Sequence, residues 1–92
     1  MELKCLDKYS LANIISNKVN FEIKKDSLKN EVSFLKVLDL INEYKENGYD
    51  GITKKIMYVV RRLNLFGEKK EQEIIEDILN NIYFNFKFML SN

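Results

Sequence analysis

The chain has 92 residues, fifteen of them basic and fourteen acidic, for a net charge of +1. That length predicts one domain, residues 1–92, in which a stable core leaves little room for a cofactor pocket. The near-neutral balance excludes a surface given over wholly to nucleic acid or to mimicking it.

Histidine is absent and Cys5 is the only cysteine. The commonest general base, a zinc site of the usual ligands and an internal disulfide are therefore excluded. Cys5 reads as a small buried hydrophobe. A hydrophobic fraction of 46% is that of a globular chain. No apolar run approaches the ~20 residues of a membrane span, and "MELKCLDKYS" lacks the apolar stretch of a signal peptide. A cytoplasmic protein without membrane association is expected.

The first predicted helix runs from about Asp7 to Lys18, with Leu11, Ile14, Ile15 and Lys18 at helical spacing and Asp7 or Ser10 as its cap. After it, "VNFEIKK" alternates Val19, Phe21 and Ile23 with polar residues, the period of a short strand. Met1, Leu3 and Cys5 alternate too and would pair with it as an N-terminal ribbon; extended connections are the alternative. A second helix is predicted from Asp26 or Ser27 to Asn47, closed by a left-handed Gly48. Its apolar residues Phe34, Val37, Leu38, Leu40, Ile41 and Tyr44 fill a broad arc, which suits a central helix.

Asp50 is the expected cap of a third helix, about Gly51 to Phe66, with Ile52, Ile56, Val59, Val60, Leu63 and Phe66 as its core stripe and Gly67 as its stop. In the last segment, "YFNFKFML" (83–90) could alternate as a strand. The stripe of Ile74, Ile75, Ile78, Leu79, Ile82, Tyr83, Phe86 and Leu90 nevertheless keeps one helical register through it, predicting a single helix from about Glu68 to Leu90. The expected fold is all-α, a compact bundle of about four helices with or without a short N-terminal β-ribbon; α+β is the alternative.

Two features are candidate binding surfaces. Phe84 and Phe88 lie one turn apart, opposite the core stripe of the last helix, where they would anchor a partner or a second copy of the chain unless the N-terminal segment covers them. On the third helix, Lys54, Lys55, Arg61 and Arg62 surround Tyr58, and Lys54, Tyr58, Arg61 and Leu65 share one line. Cations around a ring suit phosphates or an acidic protein surface, although Arg61 and Arg62 also complement the helix dipole.

The carboxylates of "EKKEQEIIED" (68–77) read as a solvated face. No serine has a histidine to activate it, and no Gly-rich phosphate loop is present. Neither catalytic residues nor a cofactor or metal site is expected. These readings favour a non-catalytic, stoichiometric protein binder such as a toxin-immunity protein, an antitoxin or a phage-borne anti-defence protein. Its partner would be another protein, for instance a toxin or nuclease, and a homodimer is compatible. The alternative is a small nucleic-acid-binding regulator using the basic third helix, and a structural subunit of a larger complex comes third.

Overall fold

The computed structural model describes residues 6–45 and 51–91, with side chains as far as Tyr83. Asp7 opens the first helix, α1 (Lys8–Lys25), with an extended backbone and its Oδ1 2.8 Å from the Ser10 N–H it accepts. That bond satisfies one of the free donors of the first turn. It is also the chief reason that the Asp7 carboxyl titrates below its ordinary range.

The helix does not stop at Lys18. "VNFEIKK" forms its last two turns and not a strand. Leu11, Ala12, Ile15, Val19 and Ile23 are all buried on one arc, and Val19 and Ile23, one turn apart, simply extend it. Phe21, the third member of the alternation, is 60% exposed. Seven residues are too few to separate the two periods, and burial against neighbouring helices decides between them. The expected ribbon thus loses its second strand; Met1, Leu3 and Cys5 lie outside the described residues.

α1 ends in a Schellman turn. Ser27 is left-handed at φ 58°, its N–H donates to Lys24 O at 3.2 Å, and the Leu28 N–H donates to Ile23 O at 2.9 Å. Asp26 and Ser27 therefore close one helix instead of opening the next. The chain then returns irregularly and is clasped from α1: Asn20 Oδ1 accepts the Val32 N–H at 2.8 Å, and Nδ2 donates to Val32 O at 2.9 Å. Only at Ser33, whose Oγ accepts the Lys36 N–H at 3.1 Å, does α2 (Phe34–Glu43) begin. It ends early as well, because Tyr44 is extended at ψ 116°. Gly48 and Asp50, the expected caps, lie outside the described residues.

In α2 only Val37, Leu40 and Ile41 are buried, and Phe34, Leu38 and Tyr44 are half-buried. The central position expected of α2 falls instead to α1 and α3, each of which packs against all three other helices. α3 (Gly51–Leu63) buries Ile56, Val59 and Val60 and half-buries Ile52 and Leu63. It stops before Phe66 because Asn64 takes the left-handed conformation at φ 53°, a role Asn tolerates better than most residues. Gly67 serves the other junction: its carbonyl accepts the Glu71 N–H at 2.9 Å at the start of α4.

α4 (Glu68–Ser91) is one continuous helix through "YFNFKFML", as its register implies. Ile74, Ile75, Ile78 and Ile82 are buried, whereas Tyr83 is 41% exposed and stands off the stripe assigned to it. Glu68 and Glu71 complement the positive end of the helix dipole. Among the described residues the fold is four helices around one apolar core, and none of these helices is long and apolar enough to cross a membrane.

α1 and α4 run antiparallel and share a charge network that composition alone does not suggest. Glu22, only 4% exposed, lies 2.6 Å from Lys70 Nζ through Oε2 and 3.1 Å from Lys18 Nζ through Oε1. Lys18 also reaches Asp77 at 3.1 Å, and Lys70 reaches Asp26 at 3.9 Å. The hydrogen bond from Lys70 outweighs burial and, with that from Lys18, holds the Glu22 carboxyl below its ordinary pKa. Lys70 is raised in return, chiefly by Glu22. For Lys18 burial opposes the charge, but its bonds to Glu22 and Asp77 win and its pKa is raised.

Candidate functional site on the third helix

The 4, 3 spacing of Lys54, Tyr58 and Arg61 puts them on one line of α3, turned away from Ile56, Val59 and Val60. Arg62 flanks that line and Met57 lies on its other side. Opposite stands Tyr44, the residue that closes α2. The two tyrosine rings pack with centroids 5.2 Å apart and planes tilted by 41°. The Tyr58 hydroxyl donates to Glu43 Oε2 at 3.2 Å, and the Arg62 guanidinium lies 5.9 Å from the Tyr58 ring centre.

Tyr44, Lys54, Met57, Tyr58, Arg61 and Arg62 thus line a shallow cleft of about 330 Å³. The three cationic side chains are exposed, while Tyr44, Met57 and Tyr58 are half-buried. Among the described residues none of Lys54, Arg61 and Arg62 forms an ion pair. Among the described residues the cleft therefore presents three cations without an ion-pair partner beside an apolar, aromatic floor. It can hold an anionic group by charge-assisted hydrogen bonds and give its apolar flank something to rest on.

A second open cleft, about 450 Å³, begins at Arg61 and continues along the first turns of α4, lined by Glu68, Lys69, Gln72, Glu73 and Glu76. Gln72 bonds Glu76 at 3.3 Å. Glu68, Glu73 and Glu76 make no ion pair among the described residues. Arg61 belongs to both rims, so the cationic and acidic surfaces are contiguous.

Four of the predicted binding residues, Lys54, Tyr58, Arg61 and Arg62, are brought together here. The side chains of the other two, Phe84 and Phe88, lie outside the described residues. Sequence reasoning missed Tyr44, Met57 and Glu43. Helical spacing places Tyr44 on the core arc of α2, but the residue is only half-buried and its ring packs on Tyr58. Glu22, with its shifted pKa, is no part of the cleft: its partners Lys18 and Lys70 tie α1 to α4.

No known protein family, characterised protein or solved structure matches this chain.

Proposed function

We propose that the chain acts by binding and not by catalysis: it is a non-catalytic protein-binding module that meets an acidic surface of its partner with the α3 cleft. In this reading it is a stoichiometric inhibitor of the kind that toxin-immunity proteins, antitoxins and phage-borne anti-defence proteins represent. The observation that carries the proposal is the convergence of Lys54, Arg61 and Arg62, without counter-ions among the described residues, on one tyrosine-lined cleft. Tyrosine, methionine and arginine are the side chains enriched where proteins meet.

The ring geometry favours a protein over single-stranded nucleic acid. Base stacking needs an open aromatic face, but Tyr44 and Tyr58 pack on each other and Arg62 lies near the Tyr58 ring. Glu43, held by the Tyr58 hydroxyl, adds a negative charge that a phosphate backbone would meet.

Fluorescence anisotropy with a labelled glutamate-rich peptide and a single-stranded oligonucleotide of equal charge tests the proposal. At about physiological salt the peptide should bind better, and Arg61→Ala/Arg62→Ala should weaken it about tenfold or more, as the loss of charge-assisted contacts implies. Preference for the oligonucleotide would hand the cleft to the nucleic-acid-binding regulator. Failure of both probes to bind would remove it as a site.

A further inference from the structure

The two contiguous clefts point to a specific occupant. We propose that two copies of this chain associate about a twofold axis, each laying the acidic first turns of α4 into the cationic cleft of the other. The inference goes beyond the reading above, because it draws on the acidic cleft as well and names a second copy as the partner.

The argument rests on the order of charges along one surface. Lys54 and Arg62 stand at one end, Arg61 at the boundary, and Glu68, Glu73 and Glu76, which outnumber the one cation among them, Lys69, at the other end. Within one molecule these groups do not neutralise each other: among the described residues none forms an ion pair, although Arg61 shares a rim with the carboxylates. A surface that is positive at one end and negative at the other becomes its own complement when rotated by half a turn. That is the condition for a closed, isologous dimer. Both charge matches then form twice, once in each direction.

Two further observations fit the same occupant. The net charge of +1 leaves almost no overall repulsion between copies. Tyr44, Met57 and Tyr58 give the cationic end the half-buried apolar floor that a purely electrostatic contact would lack. The partner's Glu73 and Glu76 would complete a cleft whose described lining has cations and no carboxylate.

Sedimentation velocity of the full chain at about 100 µM reads the association directly. A dimer is expected at about 50 mM NaCl, with its dissociation constant rising about tenfold or more at about 500 mM, because exposed pairs are screened. Two charge-reversal variants then test the pairing. Lys54→Glu/Arg62→Glu makes both clefts acidic, and Glu73→Lys/Glu76→Lys makes both basic. All four side chains are exposed, so both variants should keep the wild-type circular dichroism spectrum and melt. Each should be monomeric alone, and an equimolar mixture should restore a dimer containing one copy of each. A wild-type monomer at every salt concentration, a variant that still dimerises, or a mixture that stays monomeric overturns the proposal. A monomer that nevertheless binds the glutamate-rich peptide would leave the proposed function standing alone.

Discussion

Replacing Glu22 by Gln keeps the shape of the buried side chain and removes its charge. The wild-type carboxylate is paired with Lys18 Nζ at 3.1 Å and Lys70 Nζ at 2.6 Å. Hydrogen bonds to charged groups contribute about 1.5–3 kcal/mol each, and stripping one partner from a sealed ion pair costs about 3–5 kcal/mol. This pair is not sealed. Both lysine side chains are a quarter exposed, Lys18 keeps Asp77 at 3.1 Å, and Lys70 keeps Asp26 at 3.9 Å. Neither cation is stranded, and the glutamine oxygen retains one neutral bond, so the expected loss is about 2 kcal/mol. For a chain this short that lowers Tm by roughly 8–16 °C.

The pH dependence supplies the decisive control for that variant. Because the folded-state pKa of Glu22 is depressed, its stabilisation is present in full above the unfolded value, about 4.3, and disappears as pH falls through the lower folded value. Circular dichroism melts should therefore show a wide gap between wild type and Glu22→Gln at about pH 7 that closes as pH falls through the lowered folded value. A gap that persists in acid would refute the charge argument, since it would report lost packing instead. No gap at neutral pH would mean that the network contributes nothing.

Two further substitutions probe the chain reversal after α1. Ser27→Gly relieves a left-handed residue that has a Cβ and should raise stability by about 0.5–1 kcal/mol; a lower Tm would show that the Schellman turn is misassigned. Asn20→Ala removes both bonds to Val32 and should cost about 1–3 kcal/mol while speeding hydrogen exchange at the Val32 amide. Unchanged protection there would mean that the clasp does not form.

The helices most readable in the sequence are the ones whose apolar spacing is long and uninterrupted. α4 could be traced through "YFNFKFML" because its stripe never changes period over some twenty residues, and α3 because Ile56, Val59, Val60 and Leu63 leave only one helical face. Where a decision rested on a few residues it failed. Val19, Phe21 and Ile23 fit two periods equally well, and only the burial of Val19 and Ile23 against other helices separates them. Capping residues were ambiguous in direction: Asp26 and Ser27 are good openers by type but close α1, and Gly67 is a good stop by type but precedes α4. The cleft inherited both outcomes. Its α3 side was legible as a helical line, whereas its Tyr44 side depended on how α2 packs against α3, which no local pattern marks.

The place of α1 ahead of its partners has a consequence during synthesis. α1 precedes the other three helices in the chain and, like α3, touches every one of the others. Its buried carboxylate finds one of its two lysines on α4, forty-eight positions later in the chain, since 70 − 22 = 48. Until α4 emerges, the arc from Leu11 to Ile23 has only part of its cover and Glu22 has only Lys18. Closing that distance requires ordering nearly the whole chain at once. The nascent chain should therefore stay loosely collapsed until α4 is free, then lock in a single step.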